Sequence, residues 1–346
     1  MAIRRIKLAG LLFGAALPAP VPPSSAPRSS DRVETPTLAP LVPDSVLHAI
    51  TALNRRLEHT LNGLREQACA ELELRAIAAE LLGAVRRAPD IALGAVLLNQ
   101  IPGTYGVRHC METAIVVLLV AQAMGKSEPE LLVAAAAALT MNVGMVRQSD
   151  MFHGRDGPLS SDERALVRRH PRDSVELLRW AGIMDEDWLN YVLLHHEQDD
   201  GSGYPEGRIG QEIAENARLI GAADRYCAMV SARNYRRSLL PPVALERLEA
   251  ELAPTLMTVF RSVIGACPPG TLVRLANGEA GVVAAMLDAH GTLDVCSLQG
   301  PDGATLPVPV HRLTSRDGGA LVHVLHEDQL QLRFTMQQVW GPLAAI

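Results

Sequence analysis

The sequence predicts a mostly α-helical protein with a small β-rich module near its C-terminal end. Three observations carry this expectation. Hydrophobic residues make up 48% of the 346-residue chain but aromatics only 3%, so Ala, Leu and Val fill the core, which suits packed helices. Apolar residues recur at three- and four-residue steps from Pro43 onward, the period of an amphipathic helix. After Pro268 the composition shifts to short β-prone runs around an Asn-Gly pair, the mark of a hairpin.

The length allows two or three domains and a sizeable core. A net charge of −6 argues against binding a nucleic-acid polymer; a small anion would need a local basic patch. The five cysteines (Cys69, Cys110, Cys227, Cys267 and Cys296) are odd in number and lack a CxxC pair, so reduced, mostly buried thiols are expected. Arg4, Arg5 and Lys7 precede the apolar run Leu8 to Leu17. That pattern fits a secretory signal or a strand pair opening a cytosolic domain, and it is too short to span a bilayer. The cytosolic alternative is taken here. Residues 18–43 are rich in Pro and Ser and read as a linker.

Helices follow in order. Val46, Ile50, Leu53 and Leu57 mark the first, with Asp44 or Ser45 as its cap. A second is expected from Cys69 to Val85, stopped by Arg86, Arg87 and Pro89. The spacing predicts a third over 104–126, with His109 one turn in, and a fourth over 128–146, with Pro129 in its first turn and a long alanine run. Residues 147–159 read as a loop. Ser160 and Glu163 form a capping box for the next helix, and Pro171 predicts a break near His170. Amphipathic segments are expected at 175–180 and 188–196, a helix over 211–231, and one helix from Ala244 to about Ile264. Strands are expected on either side of Asn277-Gly278, then at 293–298 and 306–310.

The chemistry-bearing residues cluster around Leu194 to Pro205. His195 and His196 close an apolar segment, and neutral imidazole is the commonest protein metal ligand. Glu197, Asp199 and Asp200 bear on loop structure, and the glycines beside Tyr204 and Pro205 let the backbone approach a ligand closely. Asp224 sits inside an apolar helix, where burial is costly unless it is paired or holds a cation. Arg233 and Arg236 are three apart, a spacing that on a helix would put them on one face, and guanidinium groups grip phosphate bidentately.

As one string, Leu194-His195-His196-Glu197-Gln198-Asp199-Asp200-Gly201-Ser202-Gly203-Tyr204-Pro205 resembles the signature of the HD-GYP family, which hydrolyse cyclic di-GMP at a metal centre. The resemblance is strong over roughly residues 104–240. It implies an HD-domain helical bundle, and places metal ligands at His109, His170, His195, His196 and Asp224. It also implies substrate contacts at Gly203, Tyr204, Pro205, Arg233 and Arg236, and a degenerate β-rich segment at the start of the chain.

The sequence departs from the family pattern at one place. The family carries His-Asp, one apolar residue, Gly and Lys; aligned on Gly144, the pair becomes Met141-Asn142 and the lysine becomes Met145. The family's Asp bridges two metals, which a neutral carboxamide cannot do by charge, and a thioether is a soft ligand poorly matched to Mn²⁺ or Fe²⁺. Tyr105 stands where some members have a glutamate supporting a third metal, and Cys227 replaces a second Asp of the last-ligand string.

The expectation is therefore a degenerate HD-GYP protein of the bacterial cytoplasm, binding cyclic di-GMP or a signalling protein partner with reduced or no hydrolysis. It would hold one divalent ion (Mn, Fe or Mg) or none, and no catalytic residue is assigned. A homodimer is compatible with the pattern. The alternative is an active metal-dependent phosphodiesterase, a phosphoric diester hydrolase with a rearranged site. Expected boundaries are 1–43 for the N-terminal segment and linker, 44–100 for a helical region, 101–265 for the HD-GYP-like domain and 266–346 for the β-rich module.

Overall fold

Helix α4 (Tyr105–Ala123) is the axis of the fold, and most of its length is buried. Its long run of Ala, Val, Ile and Leu leaves no polar face, so it is covered on all sides. The computed structural model describes residues 45–66, 70–153, 157–231, 237–288, 291–315, 318–330 and 332–346. The expected N-terminal segment and linker, Cys69, Arg233 and Arg236 lie outside the described residues. Around α4 pack α1 (Val46–Gly63), α2 (Glu71–Arg87), α3 (Pro89–Leu97), α5 (Glu128–Thr140) and α9 (Glu215–Val230). The alanines of α5, Ala134 to Ala138, are all buried, and their small side chains admit close helix approach. Ser45 caps α1 by accepting from the His48 N–H, and Ser127 and Glu130 form a capping box on α5.

Two stretches, Tyr105–Ala123 and Glu128–Ser149, are long and apolar enough to cross a membrane, yet both are mostly buried within the protein. They serve here as core helices.

Several sequence expectations change. The helix expected over 128–146 ends at Thr140; a 3-10 turn (Val143–Met145) follows, then α6 (Val146–His153), where a loop was expected. The cause lies in Gly144. A Cβ there would come within 2.7 Å of the His170 carbonyl oxygen and the Ser174 nitrogen. Ser174 Oγ accepts from the Gly144 N–H at 2.9 Å and donates to the Met141 carbonyl at 2.9 Å. The side chain thus replaces helical partners and pins the turn to α7 (Ser161–Trp180).

Helix α7 runs straight through Pro171 rather than breaking near His170. The single helix expected from Ala244 is two, α10 (Pro241–Glu249) and α11 (Pro254–Ile264), because Pro254 opens a new first turn instead of extending the old one. Helix α8 (Glu186–Leu194) is capped by Asp185 and carries the buried Trp188, whose Nε1 donates to Thr140 Oγ1 at 2.8 Å.

The C-terminal module is a five-stranded antiparallel sheet in the order β4-β3-β2-β1-β5. Its strands are β1 (Leu272–Leu275), β2 (Ala280–Met286), β3 (Leu293–Gln299), β4 (Thr305–Leu313) and β5 (Leu321–Leu325). The Asn277-Gly278 turn joins β1 to β2 as expected. Pro307 and Pro309 lie in edge strand β4, where a missing N–H costs least. Strand β5 and the short helix α12 (Met336–Trp340) were not foreseen. Trp340 lies against Gly94 of α3, where a Cβ would come within 2.8 Å of its ring, and its Nε1 donates to the Ala284 carbonyl at 2.9 Å. These contacts join sheet to helices, and the described residues from Ser45 to Ile346 belong to one compact unit.

Candidate metal centre

Three imidazoles converge from the middle of one helix and the end of another. His170, His195 and His196 each place a ring nitrogen within 4.8 Å of the others'. His170 comes from the middle of α7, and His195 and His196 from the end of α8. Helix α7 brings its histidine in with a defined tautomer. His170 Nδ1 donates to the Val167 carbonyl at 2.6 Å, the acceptor an N–H at position 171 would otherwise use. His195 Nδ1 donates to the Val192 carbonyl at 2.7 Å, one of the last carbonyls of α8, which lack regular helical partners. Both Nε2 atoms therefore carry bare lone pairs, and they face each other at 3.4 Å. Two nitrogens ligating one tetrahedral ion at about 2.1 Å sit roughly 3.4 Å apart. Without a cation or proton between them, two such lone pairs repel.

Burial favours the neutral imidazoles that a metal needs. It pushes His170 down to about 3, reinforced by the neighbouring His195. Burial likewise lowers His195, and it lowers His196 well below the ordinary value, again with help from His195.

The other two expected ligands form a pair of their own. His109 Nε2 donates to Asp224 Oδ1 at 2.7 Å, with both side chains buried. Burial works against the Asp224 anion, but the His109 hydrogen bond and the surrounding imidazoles outweigh it and hold the carboxyl below its usual range. Neither residue joins the three-histidine group within its 4.8 Å span. Tyr105 stacks on His109 with ring centroids 5.5 Å apart and planes 14° from parallel, so it supports the ligand helix rather than offering a carboxylate. Gly221 of α9 lets this helix close on the cluster: a Cβ there would lie 2.1 Å from the His195 carbonyl oxygen.

The Met141-Asn142 pair lies inside the protein. Met141 is wholly buried and Asn142 nearly so. The Asn142 backbone meets the Cys110 thiol, which places it one residue from His109 along α4. Asn142 Oδ1 is buried without a hydrogen-bond partner, as is His109 Nδ1. Such orphan atoms are expensive unless an ion or water meets them. The three imidazole nitrogens of His170, His195 and His196 form a donor set that suits a first-row divalent ion. These residues therefore fit a metal.

The loop after His196 is shaped by Glu197. This buried carboxylate accepts from the backbone N–H groups of Glu206, Gly207 and Arg208 at 2.6, 3.1 and 3.0 Å. Asp199 pairs with Arg218 at 2.7 Å, and Asp200 accepts from Ser202. The acidic cluster thus builds the loop, as expected. Tyr204 stacks on His196 with centroids 4.7 Å apart, and its peptide bond to Pro205 is cis. Gly203 backs onto Glu197 and Gln198, and the Pro205 carbonyl accepts from Arg172 at 3.0 Å.

One buried acid escaped the sequence analysis. Glu112, one turn after His109, is fully enclosed; it accepts from Ser231 Oγ at 2.8 Å and lies 3.3 Å from Arg108 Nε. Burial raises its carboxyl above the usual value. Its signal was an acid one turn beyond His109 on an otherwise apolar face.

Fold and site together define a helical bundle with a buried three-histidine group suited to a divalent ion. The HD-domain family model matches residues 95–253, which form an HD domain of the HD-GYP kind. Over 215 residues the chain is 29% identical to a cyclic di-GMP phosphodiesterase of Pseudomonas aeruginosa, covering 61% of this chain and 51% of that protein. Over 134 residues it is 36% identical to the cyclic di-GMP phosphodiesterase response regulator RpfG of Xanthomonas campestris, covering 38% and 35%. The chain thus spans about half the length of the first relative and about a third of the second. Among solved structures, an HDG"Y"P protein from Bdellovibrio bacteriovorus matches with a TM-score of 0.52 at 14% identity, covering 64% of this chain and 73% of that one. That likeness concerns the fold.

Proposed function

We propose that this protein is a cyclic di-GMP-binding member of bacterial signalling whose centre holds one divalent ion and hydrolyses slowly or not at all. The observation that carries this is Asn142: a buried, neutral side chain with an orphan Oδ1, whose backbone meets the thiol of Cys110, the residue after His109. Two-metal sites hold their ions about 3.5–4 Å apart. At an effective dielectric near 20, two dications at that distance repel by on the order of 15 kcal/mol. An anionic bridge offsets this, and Asn142 brings no charge. The ligand class is taken from the relatives, both named as cyclic di-GMP phosphodiesterases.

The ligands in this proposal are His170, His195 and His196, with His109 and Asp224 closing the far side. A bound ion would polarise a phosphate oxygen. The protein's own share is orientation: Val167 and Val192 fix the two imidazole tautomers. Gly203, Tyr204 and Pro205 form one wall for the ligand, and Arg233 and Arg236 supply phosphate contacts. The proposed compartment is the cytoplasm, with a signalling protein or a second copy as further partners. The same donor set also favours a second reading, a single-ion phosphodiesterase, because Asp224 remains an anion beside intact histidines.

Metal content per chain and turnover of cyclic di-GMP with added Mn²⁺ or Fe²⁺ test both. One equivalent of metal, binding of cyclic di-GMP and no turnover support the first reading. Turnover that vanishes in His195→Ala supports the second, and two tightly held equivalents overturn the single-ion centre.

A further inference from the structure

The chain is acidic overall, so an anionic ligand needs a local cation. Helix α7 is the most arginine-rich element beside the histidines, with Arg164, Arg168, Arg169, Arg172 and Arg179. Four of these are engaged. Arg164 donates to the Leu159 carbonyl, Arg169 pairs with Asp173, Arg172 with Glu206 and Arg179 with Glu186. Arg168 differs: it is exposed and, among the described residues, has no carboxylate or carbonyl partner. Its guanidinium carbon lies 5.0 Å from the centroid of the Tyr204 ring. Tyr204 in turn stacks on His196 at 4.7 Å, and His196 meets His195 at 4.0 Å and His170 at 5.0 Å. The guanidinium is therefore separated from the three-histidine group by one aromatic ring. An arginine held over an aromatic face keeps its N–H edge free, and that fork matches two phosphate oxygens.

We propose that Arg168, held by Tyr204 at the edge of the histidine cluster, is a phosphate-recognition residue that sets the site's affinity for a phosphodiester. This rests on the cyclic di-GMP reading above. Arg168 acts here by binding the ligand's anionic oxygens; it is not assigned a step in bond cleavage. The neighbouring arginines cannot substitute for it without giving up carboxylates or carbonyls they already hold.

The test is calorimetric titration of the full chain with cyclic di-GMP at several salt concentrations, comparing the unmodified protein with Arg168→Gln and Arg168→Lys. Loss of one charged hydrogen-bond donor is expected to weaken binding by about tenfold or more. It should also flatten the slope of log affinity against log salt, because one screened attractive charge is lost. Arg168→Lys keeps the charge and should keep the slope while losing part of the affinity. A purely structural role for Arg168 would not move the slope, so Arg168→Gln with unchanged affinity and slope overturns the proposal and leaves the functional reading standing. No binding by the unmodified protein removes both. Circular dichroism and metal content of each variant show that fold and centre are intact.

Discussion

His170 Nδ1 donates to the carbonyl of Val167, the acceptor that Pro171 leaves without a backbone donor. A proline that sequence reasoning takes for a helix break is instead what aims a ligand. Pro171→Ala would return an N–H that competes for that carbonyl and would free the imidazole to turn. Groups that orient a ligating histidine are typically worth about 10–100-fold in metal affinity. We expect a loss in that range with helix content unchanged, measured by metal titration alongside circular dichroism. Unaltered affinity would mean that packing alone orients the ring.

Restoring charge at the buried turn gives the opposite result. The double substitution Met141→His with Asn142→Asp should raise metal content from one equivalent toward two, with a gain in cyclic di-GMP turnover. Asn142→Asp alone should stabilise the metal-bound protein and weaken the metal-free one, because an unpaired buried carboxylate is costly. Elemental analysis and thermal unfolding with and without chelator read both effects.

Acid should destabilise the metal-free protein earlier than its carboxylates alone would. His170 is held near 3 by burial, and His195 is lowered by the same cause, whereas an unfolded histidine titrates near 6.5. Between those values the unfolded chain binds protons that the native chain does not. Unfolding free energy therefore rises with pH across that window and falls on acidification. The slope approaches about 1.4 kcal/mol per pH unit for each buried histidine. Asp224, with a depressed carboxyl, contributes stability that is complete above the ordinary carboxylate value and lost only below it. Denaturant melts of chelator-treated protein should thus weaken from about pH 6.5 downward; a plateau extending to pH 4.5 would contradict this.

Gly221 sets how closely α9 approaches His195. With a Cβ at 2.1 Å from the His195 carbonyl oxygen, Gly221→Ala must push α8 and α9 apart. Overpacking of this kind costs about 1–3 kcal/mol, and here it should also weaken metal binding. Gly83→Ala, where a Cβ meets nothing within 4 Å in an exposed turn of α2, is the control and should leave metal binding unchanged while stabilising the fold by up to about 1 kcal/mol. Equal behaviour of the two variants would show that the helices adjust freely.

Much of the bundle was legible because long apolar periods and caps are local signals. The boundaries of α4 and the capping box at Ser160 follow directly from neighbouring residues. The failures share a cause: distant contacts decided them. The end of α5 depends on Gly144 meeting Ser174 thirty residues later, and α7 survives Pro171 because a side chain takes the freed carbonyl. Strand β5 is a five-residue run whose pairing with β1 no local pattern announces. In the site, the family signature pointed to five ligand positions, of which His170, His195 and His196 converge. Their division into a three-histidine group and a His109–Asp224 pair was not legible there, because separation in space is set by helix packing.

Glu197 has a consequence for how the centre is reached. Three consecutive amides, those of Glu206, Gly207 and Arg208, share its one carboxylate, so they are fastened or released together. Arg172 holds the same segment at Pro205 and Glu206, so whatever enters beside the histidines meets a loop moored from inside by one carboxylate and from outside by one guanidinium.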